Sequence, residues 1–446
     1  MKGTPQESRP AEVAGDRSKQ AGEIRARWAW VEPVVWTDRM LAALEQGVQG
    51  GVWFSLIDKV TSLRGLRAAW SQVQRNQGSG GVDRETIDQF GREAETRLNK
   101  LSEQIKDGTY QPLPVRRVYI PKPDGRKRPL GIPAVRDRVV QAALRNVLEP
   151  IFEWEFCEHS YGFRPGRGAK DALRRIDGQL KAGYRYVLDA DLKSYFDSIP
   201  HERLLSLVRR RVADGRVLAL VEAFLNQSVL EEMQEWKPTE GTPQGGVISP
   251  LLANIYLHPL DELMRAQGFE MTRYADDLVV LCRTAEECSR ALEMIREWVT
   301  EVGLTLHPEK TRVVDMNEPG GFDFLGYHFE RAYRKPRAKS LEKLKETIRT
   351  KTRRTNGHSL SAIIIDLNRT LKGWFGYFKH SHHWVFKDLD QWIRMRLRSI
   401  LRKRQGKRGR GRGSDHQRWP NAHFAKMGLF SMLTAYREAS RPQGVH

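Results

Sequence analysis

The sequence predicts an α+β chain built from more than one packed unit. Three observations carry that expectation: apolar residues recur at helical spacing over long stretches, only a few strand-like runs interrupt them, and the composition turns abruptly basic after Arg331. At 446 residues the chain also exceeds the size at which a single core normally stops growing.

Taken in order, residues 1–45 are expected to form a flexible N-terminal extension, because Met1 to about Arg25 is Gly, Pro, Ser and charge with almost no large apolar residue. Trp28, Trp30 and Trp36 punctuate a short apolar stretch after it. Leu56, Val60, Leu63, Leu66 and Trp70 then recur at helical spacing, ending before the turn-rich Asn76-Gln77-Gly78-Ser79-Gly80-Gly81. From Val115 to Pro133, VRRVYIPKPDGRKRPLGIP reads as two strands joined by a Pro-Asp-Gly turn, with basic side chains at both ends of the hairpin. Helices are predicted around Arg138 to Phe152, Lys170 to Lys181 and Glu202 to Asn226, with a strand at Tyr186 to Asp191 and a hairpin around Arg273 to Cys282. Ten Lys and Arg residues between Arg334 and Arg354 then mark a domain boundary near residue 330, and an aromatic helix follows. Leu401 to Gly413 carries seven Lys or Arg, four glycines and no acid, so it is expected to stay extended and disordered until it meets phosphate.

The charge balance narrows the partners. Seventy-five Lys and Arg stand against fifty-five Asp and Glu, a net charge of +20 that calls for a polyanion. No apolar run reaches the roughly 18 residues of a membrane span, which favours nucleic acid over a membrane surface. Met1 to Gln20 has no apolar signal segment, so the chain is expected to stay in the cytoplasm, associated with the nucleoid when it acts on DNA. Cys157, Cys282 and Cys288 contain no CxxC pair and read as reduced, structural thiols.

Three carboxylates stand out: Asp191 in VLDADLKSYFDSI, and adjacent Asp276 and Asp277 in RYADDLVVL. Each interrupts an apolar, strand-like run, where an unpaired buried carboxylate is costly unless it meets a cation. Neighbouring strand residues point to opposite faces, so Asp276 and Asp277 must lie at a bend to serve one site. Hard oxygen ligands from two strands suit Mg²⁺, and two such ions can hold the attacking and leaving oxygens of an in-line phosphoryl displacement. Taken singly, each Asp is better explained as a turn or salt-bridge residue; the case for a site rests on their joint pattern.

The motifs together resemble the group II intron-encoded reverse transcriptase/maturase family. RYADDLVV looks like the catalytic hairpin of reverse transcriptases, DADLKSYFDSI resembles the strand with their first catalytic Asp, and GTPQGGVISPLLANIYLHPLD is similar to their substrate-binding helix. YIPKPDGRKRPLGIP, SYGFRPGR and GFDFLGYHF resemble further blocks of the family, in the same order, and SLIDKV through NQGSGGVD looks like its N-terminal extension block. The match runs from about residue 46 to 400. It implies a right-hand polymerase, with fingers and palm over 46–330, a helical thumb or maturase domain over 331–400 and a basic RNA- or DNA-binding tail over 401–446.

The same resemblance implies residue roles. Asp191, Asp276 and Asp277 would be catalytic and bind metal, with the Leu192 backbone carbonyl completing the coordination of two Mg²⁺ ions, for which Mn²⁺ is a substitute. Lys122 and Arg128 would clamp the triphosphate, a task suited to a point charge beside a bidentate guanidinium; a solvated hairpin face is the alternative. Phe196, five positions after Asp191, would collide with a ribose 2′-hydroxyl, unless it is ordinary core. Gln244 and Gly245 would let template and incoming nucleotide approach the backbone.

For RNA, LNRTLKGWFGYFKH and LDQWIRMRLRSILRK resemble the maturase domain and nominate Lys372, Trp374, Tyr377 and Lys379, joined by Arg402, Lys403, Arg404, Lys407 and Arg408 of the tail. Trp374, Phe375 and Phe378 are also helically spaced, and core packing explains them equally well. His380, His382 and His383 have no acid or Cys at ligand spacing and read as phosphate contacts or solvent-facing groups.

The implied partners are the intron RNA, an RNA template, a DNA primer or target, and dNTPs, with no membrane. The implied activity is RNA-directed DNA synthesis that copies the intron during retrohoming, alongside assistance to splicing. No paired CxxC motifs precede His446, so the endonuclease domain of many relatives is not expected here. Three other readings compete: a stand-alone or defence-associated reverse transcriptase, an RNA-dependent RNA polymerase, which Phe196 disfavours, and an RNA-binding splicing factor with a dead polymerase fold, which the three retained Asp residues disfavour.

Overall fold

The computed structural model describes residues 22–121, 125, 127–232, 234–331 and 333–440. Its contacts divide the chain into two units, one of residues up to 175 with 188–282 and 286–312, the other of 176–187, 283–285 and 313 onward. The strands that follow residue 312 group with the C-terminal helices, with Tyr327 lying against Tyr377 and Phe378.

The first unit carries a sheet of order β2-β1-β4-β5: β1 (Val115–Pro121), β2 (Lys127–Ile132), β4 (Val229–Glu231) and β5 (Gln234–Trp236). The β1–β2 hairpin is antiparallel, with Ile120 opposite Arg128. A second sheet has the order β6-β7-β3-β8: β3 (Tyr186–Asp191), β6 (Glu270–Tyr274), β7 (Asp277–Cys282) and β8 (Arg312–Asp315). Helices Leu63–Asn76, Val135–Glu153 and Ser249–Ala266 pack in this unit. The long predicted helix from Glu202 to Asn226 is two, His201–Arg209 and Gly215–Leu225. Asp214 caps the second by accepting from the amides of Arg216 and Val217, a break that the apolar spacing alone could not announce.

The N-terminal expectation needs correction from residue 22 onward. Trp36 is fully buried and its indole donates to the Asn146 carbonyl at 3.0 Å, while Trp28 donates to Glu45 at 2.9 Å. Large aromatic area and a satisfied N–H outweigh the low apolar content of this segment. Residues 1–21 of the expected extension lie outside the described residues.

In the second unit β9 (Phe322–Phe324), β10 (Tyr327–Phe329) and β11 (Arg334–Pro336) form a small antiparallel sheet. Helices Ala338–Lys351, Leu360–Phe378 and His383–Arg404 enclose a core that includes Ile348, Leu367, Phe386 and Leu397. The tail is folded too: Trp419, Phe424 and Met432 enter that core. Residues 401–404 simply continue the last long helix, and the Gly411 amide donates to Ser399 Oγ at 3.0 Å. Buried Asp390 then caps the final helix through Ser431, Met432 and Leu433. Composition suggested disorder between residues 401 and 413, but apolar anchors further along the chain hold that stretch in place. All three cysteines are free and buried.

Candidate active site

Alternation along β3 puts Asp189 and Asp191 on one face of the strand. β6 and β7 are joined by a tight turn in which Tyr274 faces Asp277, leaving Ala275 and Asp276 at the tip. Ala275 has φ +58°, the left-handed conformation that two-residue hairpins require. The bend needed to bring Asp276 and Asp277 to one site is therefore present, and β7 lies next to β3 in the sheet.

The carboxylates feel one another. Enclosure by protein raises the pKa of Asp276, and the Asp191 charge raises it further, against the pull of Arg128 and Lys310. Asp277 is open to solvent on one side, yet enclosure on the others, followed by repulsion from Asp276, Asp191 and Asp189, pushes it up to about 7. Lys310 is ion-paired with Asp191, and Arg312 reaches Asp189 at 3.3 Å. Among the described residues no three His, Cys, Asp or Glu side chains are gathered tightly enough to make a ready cation cage. Mg²⁺ does not require one, since it keeps waters and borrows substrate phosphate oxygens. A donor set of crowded hard oxygens, unwilling to ionise together, fits a divalent cation.

Beneath the hairpin lies a buried polar network. The Arg273 guanidinium is bidentate to Asp261 at 2.8 and 2.5 Å, and it also donates to Asn254 Oδ1 and to the Ala275 carbonyl. Asn254 and Asp261 sit seven residues apart, on one face of helix Ser249–Ala266.

The nucleotide-side candidates form a second chain of contacts. Arg128 Nε donates to Gln244 Oε1 at 3.0 Å, and Gln244 Nε2 donates to Asp197 Oδ2 at 2.8 Å. Arg128 thus projects from β2 toward the acidic cluster, where its charge reaches Asp276. Gly245 has φ +115°, and a Cβ there would meet the Gly131 carbonyl at 2.3 Å. The immediate need for glycine is thus the backbone of β2, a reason different from nucleotide access. The Phe196 ring is half-buried, and its carbonyl accepts from Thr242 at 2.6 Å. Leu192 lies just past β3, bridged to Leu306. Lys122 lies outside the described residues.

Residues 120–329 match the family model described as reverse transcriptase (RNA-dependent DNA polymerase), and residues 341–419 match the group II intron, maturase-specific domain. Protein YkfC of Escherichia coli K12 is 32% identical, over 69% of this chain and 86% of YkfC. Group II intron-encoded protein LtrA of Lactococcus lactis subsp. cremoris is 42% identical, over 44% of this chain and 33% of LtrA. The chain belongs to the group II intron-encoded reverse transcriptase/maturase family. An uncharacterized 91 kDa protein in the cob intron of Schizosaccharomyces pombe is 39% identical, over 44% of this chain and 24% of that protein. The aligned segments thus span most of YkfC but a third or less of the two intron proteins. Reverse transcriptases of this family are RNA-directed DNA polymerases that use divalent metal ions. No helix among the described residues is long and apolar enough to cross a membrane.

In the maturase-matching unit the aromatic and basic candidates separate. Phe375 and Phe378 are buried, and the half-buried Trp374 ring packs tilted on Phe378, with centroids 4.7 Å apart. The half-buried Tyr377 hydroxyl donates to the Leu325 carbonyl at 2.7 Å. Packing therefore claims the rings, while Lys372 and Lys379 are exposed. Arg402 ties down the tail through Asp415 and the Arg408 carbonyl, and Arg404 bonds the His358 carbonyl. Lys403, Lys407 and Arg408 remain exposed at the surface.

Sequence reasoning missed Asp189, Lys310 and Arg312. Strand alternation could have found Asp189, two residues before Asp191. Nothing local marks Lys310 or Arg312, whose positions depend on β8 lying beside β3.

Proposed function

We propose that Asp191, Asp276 and Asp277, with the Leu192 carbonyl, hold two Mg²⁺ ions for template-directed DNA synthesis on RNA. When bound, such ions would stabilise charge on the attacking and leaving oxygens. The primer 3′-hydroxyl attacks the α-phosphorus of a dNTP, forming the new ester as the bond to pyrophosphate breaks. Arg128, oriented by Gln244, neutralises the triphosphate together with Lys122. Phe196 occupies the space that a ribose 2′-hydroxyl would need. In this reading residues 46–330 are fingers and palm, 331–400 the thumb, and 401–446 extend the RNA-binding surface. Lys372, Lys379, Lys403, Lys407 and Arg408 hold the phosphates of the intron RNA whose splicing the protein assists. Its place of work is the cytoplasm, at the nucleoid when target DNA is copied.

The observation that supports this best is the convergence of Asp191 with the Asp276–Asp277 hairpin, close enough for the Asp191 charge to raise the pKa of both hairpin carboxyls. The test uses purified protein with an RNA template, DNA primer, dNTPs and Mg²⁺. Wild type extends the primer, whereas Asp277→Ala does not, with RNA retention on filters unchanged because the basic surface is intact. Extension by Asp277→Ala at the wild-type rate would refute the assignment.

A further inference from the structure

Phe163 is held in a conformation that its own chemistry disfavours. Its φ is +59°, a region where a bulky side chain is an outlier, and the residue is 49% exposed. Neither the strain nor the exposure stabilises the fold.

The neighbours on both sides explain how this conformation persists. Before it, Gly162 is pressed against the hairpin that carries Asp276: a Cβ there would meet the Ala275 amide nitrogen at 2.2 Å, and the Gly162 carbonyl accepts from Asn254 at 2.9 Å. After it, the Arg164 side chain is 1% exposed, grips Glu153 with two nitrogens and bonds the carbonyls of Cys157 and Ser160. With both flanks locked, the Phe163 side chain is displayed at a fixed place. There it meets the Phe196 ring edge-to-face, with centroids 6.2 Å apart and planes at 85°.

We infer that Phe163 is a positioning residue for sugar selection, holding the Phe196 ring in the one orientation that excludes a 2′-hydroxyl. This rests on the proposed role of Phe196 and adds a second residue to it. Phe196 is half-buried, and a ring free to rotate about its side-chain bonds would discriminate poorly. An edge-to-face partner is worth about 0.5–1.5 kcal/mol, which converts to roughly twofold to tenfold in selectivity.

The experiment measures the ratio of dNTP to rNTP incorporation by single-nucleotide primer extension for wild type, Phe196→Ala, Phe163→Gly, Phe163→Tyr and the double variant Phe163→Gly/Phe196→Ala. Glycine relieves the positive φ, so Phe163→Gly keeps or raises the melting temperature, and a lost ratio is not a folding defect. Expected are a severalfold lower ratio for Phe163→Gly, a ratio near wild type for Phe163→Tyr, and a double variant no worse than Phe196→Ala alone. If Phe196→Ala lowers the ratio but Phe163→Gly does not, the inference fails and the reading of Phe196 stands. Additive losses in the double variant, or a Phe163→Gly defect equal for dNTP and rNTP, also overturn it; the latter marks a direct primer–template contact instead. An unchanged ratio in Phe196→Ala removes both.

Discussion

The Arg273 guanidinium donates to the carbonyl oxygen of Ala275 at 3.1 Å, tying the turn that carries Asp276 to helix Ser249–Ala266. Arg273 thereby couples the core to the candidate site, since the same Nη1 also donates to Asn254 while Nε and Nη2 are spent on Asp261.

That coupling makes the pair vulnerable. The side chains of Arg273 and Asp261 are 1% and 4% exposed. Asp261→Ala leaves a buried guanidinium without its counter-charge and is expected to cost about 3–5 kcal/mol. Denaturant unfolding of the variant checks this, and a loss within the scatter of surface substitutions would contradict it.

Metal-free stability should depend on pH through Asp277. Its pKa, raised to about 7, lies above the ordinary value of 3.8. Between those values the folded protein keeps a proton that the unfolded chain has lost, so stability falls as pH rises through the window. At about pH 8 the ionised carboxylate is a net burden, and Asp277→Asn is expected to raise the metal-free melting temperature by a few degrees. The same substitution should flatten the pH slope and shrink the stabilisation that Mg²⁺ confers on wild type. A lower melting temperature for the variant across that range would reverse the sign.

Gln244 bridges Arg128 and Asp197. Replacing it with Leu removes both bonds and leaves Arg128 unoriented. The expected result is a KM for dNTP raised about tenfold, as one charged hydrogen bond warrants, with kcat changed less. Steady-state primer extension at varied dNTP separates the two, and an unchanged KM would detach Gln244 from nucleotide binding.

Phe424 is fully buried in the second unit's core. Phe424→Ala is expected to destabilise that core by about 3–5 kcal/mol. Hydrogen exchange would then show faster turnover in residues 401–440 and in helix His383–Arg404. Unaltered exchange there would mean that the tail contributes nothing to the core.

Much of the site was legible locally. Asp191 falls at the end of a strand, Asp276 and Asp277 at a hairpin tip, and Arg128 on a hairpin, all as alternation and turn chemistry predicted. Misreadings occurred where local composition was outvoted by distant contacts. Trp28 and Trp36 order a segment that looks flexible, and Trp419, Phe424 and Met432 order a tail that looks disordered. Trp374 and Tyr377 are occupied by protein neighbours, although their spacing among lysines suited RNA equally well.

By itself the sequence determined the elements, the acidic pattern and the family, because strand alternation, turn preference and motif order depend on residues near one another in the chain. Only the tertiary structure decided which charges meet. Lys310 reaches Asp191 across 119 residues of sequence, Gln244 joins Arg128 to Asp197, and Phe163 finds Phe196. Electrostatic and ring contacts act over a few ångströms of space, and only folding converts distance along the chain into distance in space.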